Sequence, residues 1–258
     1  MDKRLTFDED SANYDALRPT YCGELFRDVL AFAGSAPGMR AVEVGIGTGQ
    51  ATPPFLDAGY RITAVELGAN LAEFVSGKFR DRDGFNVENT SFESFECPPD
   101  SVDLIYSATA FHWIPDEVGY PKAFRMLRRG GTLAVFWNRP AAREDDPMHI
   151  ANQDLYRKYP LGETYVPPPA VDNPARYKRI RESIASFGFD PVELRLYHAV
   201  RVFNAVDYIR LLNTYSDHRS RPPEQKAAFE RELAEAIRAH GDRFEIHDTM
   251  DLYLARKP

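Results

Sequence analysis

The chain has 258 residues, 43% hydrophobic and 28% charged, with a formal net charge of −7. This is the profile of a soluble globular protein with room for one large α/β domain, and its acidity argues against a non-specific nucleic-acid binder, which needs a basic face to neutralise phosphates. No apolar run of about 18 residues is present to span a membrane, the start Met1-Asp2-Lys3-Arg4-Leu5 lacks the apolar core of a secretory signal, and two cysteines, Cys22 and Cys97, give neither a disulfide framework nor metal-ligand spacing.

A cytoplasmic protein is therefore expected. In chain order, Ala41-Val42-Glu43-Val44 reads as a short apolar strand running into glycines. Thr52 to Ala58 reads as a short helix, with Pro53-Pro54 in its first turn, where a missing N–H costs nothing. Arg61 to Leu67 is a second strand, rich in β-branched residues. Leu71, Phe74, Val75 and Phe79 sit near a three-to-four spacing and predict a helix over Asn70 to Phe79. Asn86 to Asn89 is a short third strand, and Val102 to Tyr106 a fourth, apolar enough to be covered on both faces. Glu117 to Leu127 reads as a helix that stops before Gly130-Gly131, and Thr132 to Trp137 as a fifth buried strand. This alternation predicts a parallel sheet with right-handed crossovers.

The pattern breaks after Asn138. Arg139 to Pro174 is rich in proline and polar residues, with Pro167-Pro168-Pro169 inside it and a short helix around Asp154-Leu155-Tyr156. A helix over Arg176 to Phe187, a long strand over Val192 to Phe203, helices over Asp207 to Tyr215 and Glu224 to His240, and a final strand over Met250 to Ala255 follow. The expected organisation is a single domain: an N-terminal helical cap (1–37), a cofactor-binding core (38–138), an inserted lid and helix (139–190) and C-terminal elements (191–258) that complete the sheet.

The strongest local signal is Glu43-Val44-Gly45-Ile46-Gly47-Thr48-Gly49-Gln50, between a predicted strand and a predicted helix. Glycines let the backbone turn tightly and approach a ligand closely. A dinucleotide site would want G-x-G-x-x-G with a pyrophosphate at the helix N-terminus. Here the glycines stand at 45, 47 and 49, and the turn carries its own acid, Glu43. An acid repels pyrophosphate and attracts an ammonium group. S-adenosylmethionine (SAM) has an ammonium, a sulfonium and no phosphate, so charge favours it over a nicotinamide dinucleotide. Glu66, at the end of the second strand, can accept both ribose hydroxyls of an adenosine, in either cofactor.

Residues 38 to 138 resemble the class I SAM-dependent methyltransferases, especially the small-molecule group called type 11. Glu43-x-Gly45-x-Gly47-x-Gly49 is similar to their first motif, with Gln50 closing it. The resemblance implies that Glu66 is the ribose acid and that Leu67 packs on adenine. It places Ser91-Phe92-Glu93 where the family has Asp-Ala-Glu beside adenine, with a serine here in place of the aspartate. Ser107 to Trp113 then lies along the methionine end. Phe7, Tyr14, Arg18, Pro19 and Tyr21 resemble the Tyr-x-x-x-Arg-Pro-x-Tyr segment of trans-aconitate-methyltransferase-like enzymes, which implies that Tyr14 and Arg18 meet the cofactor carboxylate. The implied fold is a Rossmann-like seven-stranded sheet, mostly parallel with the last strand antiparallel, flanked by helices.

Methyl transfer needs alignment and exclusion of water, and a general base only where the acceptor atom keeps a proton in the way. His112 is the candidate base or hydrogen-bond donor, with shaping of the pocket as its bland role. Trp113 is a candidate pocket wall, and Asn138 and Arg139 candidate orienters of the acceptor. Tyr156, Tyr159, Tyr165 and Tyr177 could form an aromatic cap over the acceptor or a small satellite core. Arg176, Lys178, Arg179 and Arg181 could form an anion site or a solvated face. His198, His218, His240 and His247 lack ligand spacing, and no metal is expected. The expected partner is a small organic molecule, with neither nucleic acid nor membrane. Two rivals stand beside this reading: a non-catalytic SAM or nucleoside binder, and an NAD-dependent oxidoreductase.

Overall fold

A computed structural model of the chain describes residues 21–141, 145–160 and 173–258. The elements are α1 (Gly23–Ala33), β1 (Arg40–Val44), α2 (Pro53–Asp57), β2 (Arg61–Glu66), α3 (Ala69–Lys78), β3 (Phe85–Asn89), β4 (Val102–Ala108), α4 (Asp116–Met126) and β5 (Leu127–Ala141). Then come α5 (Pro147–Lys158), α6 (Pro174–Ser186), β6 (Val192–Phe203), α7 (Ala205–Leu212), α8 (Ser216–Arg219), α9 (Pro223–Ala239) and β7 (Phe244–Arg256).

One sheet runs in the order β3-β2-β1-β4-β5-β7-β6. β1 to β5 are parallel, and β7 is antiparallel to both β5 and β6. This is the Rossmann-like sheet with an antiparallel last strand that the resemblance implies. From β1 the chain steps outward to β2 and β3 and then returns to β4 on the other side of β1. That reversal opens a crevice beyond the carboxyl ends of β1 and β4, where open α/β sheets take their ligands.

Alternation along the strands builds a core on each face. Val42, Ile105, Leu133, Val135 and Tyr253 pack on one face with Ile180 and Ile184 of α6. Ala41, Leu104, Ala134, Phe136, Met250 and Leu252 pack on the other, against Leu25 and Val29 of α1 and Phe55 of α2. A third core joins Met148 and Tyr156 of α5 to Tyr208, Leu211, Phe229 and Leu233 of α7 and α9.

Two strands outrun their sequence expectation. β5 spans 15 residues because it pairs in parallel with β4 from Leu127 and antiparallel with β7 as far as Ala141. β7 spans 13 residues, not six, because its polar positions are satisfied across the sheet: Arg201 of β6 forks onto Asp248, and Arg176 of α6 meets Asp251 at 2.6 Å. The short helix expected around Asp154 to Tyr156 is the 12-residue α5, whose Asp146 cap accepts from the N–H groups of Met148 and His149. No helix among the described residues is long and apolar enough to cross a membrane.

Candidate active site

A cavity of about 370 Å³ lies at the crevice. The ends of β1 and β2, the loop after β3, the loop after β4, and residues of β5 and β6 line it. Its volume falls in the ~300–1,000 Å³ range of small-molecule sites.

At one end the wall is mostly backbone. Gly45 and Gly47 both hold positive φ, +68° and +58°. A Cβ on Gly45 would stand 2.5 Å from the Cβ of Ala110, whereas one on Gly47 would meet nothing within 4 Å and enter open space. Glycine is thus imposed by packing and backbone at 45, and at 47 by backbone alone. Glu66 is 8% exposed and fixed from both sides, with Oε2 accepting from Gly47 N–H and Oε1 from Gly68 N–H, each at 2.9 Å. Each carboxylate oxygen has two lone pairs, so these bonds orient the group and leave capacity for ligand hydroxyls. Beside it, the buried Oγ1 of Thr48 has no hydrogen-bond partner. An open glycine cradle and an oriented carboxylate fit the amino-acid and nucleoside parts of SAM.

Of the residues singled out in the sequence, Gly45, Gly47, Gln50, Glu66, Leu67, Ser91, Phe92, Glu93, His112, Trp113 and Asn138 all line this one cavity. Ser91 spends its Oγ on Ser94, accepting from its N–H at 3.1 Å and donating to its Oγ at 3.2 Å. Phe92 sits between cavity and core, with its ring 6.1 Å from that of Phe111.

Among the described cofactor candidates, Glu43, Gly49 and Ser107 stand outside the lining, as does Arg139 among the acceptor candidates. Glu43 does not face the cavity. It is 1% exposed beneath the turn, where its Oε2 accepts from Thr52 Oγ1 at 2.7 Å and Tyr106 OH at 2.8 Å. Burial raises its pKa to about 7 against the two hydrogen bonds, which favour the charged form, and the nearby Glu66 adds to the rise. Its position places it under the loop as a support and not in direct reach of a ligand ammonium. Gly49 packs on Phe79, whose ring a Cβ there would meet at 2.4 Å. Ser107 points inward, and its Oγ donates to the carbonyl of Val44 at 2.8 Å, tying β4 to β1. Tyr14 and Arg18 lie outside the described residues, as does Tyr165.

The other end of the cavity is made of side chains. Trp137 Nε1–H donates to His112 Nδ1 at 3.0 Å. Indole is only a donor, so the neutral imidazole carries its proton on Nε2. Burial, then the charges of Arg139 and Arg176, lower the His112 pKa to about 4. The ring is therefore a neutral donor at physiological pH and a weak base. Trp113 stands half exposed beside it, ring centroids 5.0 Å apart. Thr109 has φ +55°, a strained value for a β-branched residue. Its Oγ1 makes a 2.6 Å bond with Tyr21 OH and a 3.4 Å one from Asn138 N–H.

Tyr21, Thr48 and Thr109 line the cavity from within segments that the sequence singles out, whereas Pro140, Arg201 and Tyr215 line it without such a signal. Arg201 left only a weak trace there, a basic residue inside a long alternating strand. Of the candidate aromatic cap, the described members Tyr156, Tyr159 and Tyr177 do not line the cavity. Tyr156 is buried in the third core with its OH 2.8 Å from His218 Nε2, Tyr159 OH donates to Glu232, and Tyr177 packs on the first core. Among the described residues of 139–190, only Pro140 reaches the cavity. The basic run of α6 divides: Arg176 turns inward to Asp251, while Lys178 lies exposed near Glu182 at 3.7 Å. Among the described residues no cluster of His, Cys, Asp and Glu could hold a metal ion.

Residues 42–135 match the family described as Methyltransferase domain, of type 11. An uncharacterized methyltransferase of Schizosaccharomyces pombe is 24% identical over 90% of this chain and 87% of its own length. A protein of Saccharomyces cerevisiae named as a probable S-adenosylmethionine-dependent methyltransferase is 26% identical over 73% of this chain and 66% of its own. Among solved structures, phosphoethanolamine N-methyltransferase 2 of Haemonchus contortus, in complex with phosphomonomethylethanolamine and S-adenosylhomocysteine, superposes with a TM-score of 0.58 at 14% identity. That match covers 99% of this chain and 60% of the other.

Proposed function

We propose that this chain, a class I SAM-dependent methyltransferase in family and fold, transfers the methyl group to a small organic acceptor seated between His112, Trp113 and Asn138. One observation carries the reading: a single cavity runs from the glycine turn and Glu66 to His112 and Asn138. A nucleoside held at the first end brings its reactive group toward the second. A cytoplasmic location belongs to the same proposal.

SAM, when bound, supplies a methyl group on a sulfonium centre that departs as a neutral thioether. The protein's own task is then to hold, align and dry the reactants. Glu66, fixed by two backbone N–H groups, is placed to accept the ribose hydroxyls. Gly47 leaves the space for the amino-acid part. His112 serves as a donor from Nε2, orienting the acceptor's oxygen or nitrogen, and not as the group that takes a proton.

Calorimetry with SAM and with S-adenosylhomocysteine is the first test, and micromolar binding is expected of both. Turnover with a panel of small acceptors, followed by release of S-adenosylhomocysteine, is the second. Failure to bind either nucleoside would sink the proposal. Binding without turnover of any acceptor would leave the non-catalytic binder.

A further inference from the structure

β6 ends the sheet. β7 pairs along one side of it, and among the described residues no strand lies on the other. At 12 residues it is about twice the usual strand length. A long free edge offers unpaired N–H and C=O groups to another chain, and natural edges are commonly blunted by lysine, proline or a bulge. Val192–Phe203 contains no lysine, proline or glycine, and its register with β7 runs without a shift. The carbonyl of Pro191 accepts from the N–H of Arg256. The alternation of an antiparallel ladder then turns the N–H and C=O groups of Leu196, His198, Val200 and Val202 toward the open edge.

The same stretch carries exposed apolar side chains. Leu196, Val200 and Val202 are 38%, 51% and 48% exposed, and Val206, at the start of α7, is 57% exposed. These are four of the seven large hydrophobic side chains that stand exposed among the described residues, so apolar surface is concentrated along this edge. The charges of the strand are compensated within its own chain. Arg195 meets Asp28 and Glu193 at 2.9 Å each, and Arg201 forks onto Asp248. A charged partner would have to break these pairs, whereas a second neutral, apolar edge leaves them in place.

We propose that β6 pairs antiparallel with β6 of a second copy of this chain, about a twofold axis at Ala199, joining the two sheets into a dimer. In this register Leu196 lies opposite Val202 and His198 opposite Val200, each twice. Every such pair exchanges both of its backbone hydrogen bonds. Ala199 faces its own copy in the close, non-bonded pair, where Cα atoms stand about 4.5 Å apart and a small side chain fits. On that face Tyr197 comes opposite Arg201, a ring beside a guanidinium. A register centred on His198 is poorer, because it sets Arg195 against Arg201. The strand is thus complementary to itself, and a twofold contact of this kind closes at two chains. The dimer goes beyond the methyl-transfer reading and does not depend on it.

The test is the mass of the full chain in solution. One strand pair with a few apolar side chains is a small interface, so a dissociation constant of about 1–100 μM is expected. Sedimentation equilibrium across that range should pass from monomer to dimer. Val200→Lys and Val202→Lys each put a lysine on the edge and should weaken association by about 10-fold or more. Both should bind S-adenosylhomocysteine within about twofold of wild type, because neither residue lines the cavity. Val200→Thr, which keeps a β-branched side chain, should keep most of the association. The register is read by crosslinking. Ala199→Cys should give a disulfide-linked dimer on mild oxidation, above any formed by Cys22 and Cys97 in wild type, and Val202→Cys should not. A chain that stays monomeric throughout the range overturns the proposal. So does a dimer that survives both lysine variants, an assembly larger than two chains, or a crosslink as strong in Val202→Cys as in Ala199→Cys. S-adenosylhomocysteine binding in the same samples would leave the methyltransferase reading standing in each of these cases.

Discussion

The two ends of the cavity solve the problem of holding a ligand in different ways. The cofactor end uses backbone: positive-φ glycines and amide groups that aim one carboxylate, Glu66. The other end, proposed here for the acceptor, uses side chains held by distant partners: His112 tied to Trp137 and Arg201 to Asp248. Backbone geometry is fixed by a few adjacent residues and suits a constant ligand. Side-chain clusters can be exchanged without rebuilding the sheet, which suits a part of the site that sets the acceptor.

This contrast can be broken by mutation, and the largest effect is expected behind the second end, where Arg139 and Arg176 lie over Trp137. Asp251 is 1% exposed between two arginines. Asp251→Ala leaves both guanidinium groups without their shared carboxylate and should cost about 3–5 kcal/mol in denaturant unfolding. A loss below about 1 kcal/mol would mean that water reaches the cluster.

Next is the support beneath the cofactor turn. The Glu43 pKa, raised from 4.5 to about 7, means that the folded state binds the proton more tightly than the unfolded one. That stabilisation is full below pH 4.5 and is lost as pH rises through 7, a difference of about 3 kcal/mol. Glu43→Gln keeps acceptors for Thr52 and Tyr106 and should flatten the fall in melting temperature between pH 5 and pH 8. An unchanged slope in the variant would show that other groups produce it.

At the cofactor end proper, Glu66→Gln should weaken S-adenosylhomocysteine binding by about 100-fold, the value of two charge-assisted bonds partly replaced by neutral ones. One of the two N–H groups of Gly47 and Gly68 keeps the Gln carbonyl as acceptor and the other then faces its NH2, so a stability loss of about 1–3 kcal/mol is expected beside the loss of affinity. The glycines separate packing from ligand space. Gly45→Ala meets both positive φ and Ala110, and should lose about 1–2 kcal/mol of stability or more. Gly47→Ala meets only the backbone cost of its φ, and its main effect should be on cofactor affinity. Equal behaviour of the two in melting and titration would remove the distinction.

The smallest effect is expected at His112. The pH profile of kcat/KM should show no ionisation of this ring between pH 5 and 9, because its pKa lies near 4. His112→Gln, which can still donate, should lower kcat/KM by about 10-fold or less. A step near pH 6.5 that disappears in the variant would restore His112 as a base.

The strand–glycine–helix unit and Glu66 were legible because a tight turn and the strand leading to it are written in consecutive residues. Legibility fell where polar residues had to be placed. Glu43 reads as a ligand acid in the sequence, but Tyr106, 63 positions away, and Thr52 turn it inward. Met250 to Ala255 reads as a strand by its apolar residues, whereas Phe244 to Thr249 is strand through partners on β5 and β6.

What the sequence determined by itself was the alternation of strands and helices, the glycine turn and the acid that follows it, because hydrophobic periodicity and backbone freedom act over short distances. Only the tertiary structure decided which polar side chains reach the cavity. Register between β5, β7 and β6 puts Arg201 on Asp248 with one nitrogen to spare, and packing of α6 sends Arg176 to Asp251. Those pairings join residues 47 and 75 positions apart, and no local pattern encodes a contact whose partner is chosen by the closing of the sheet.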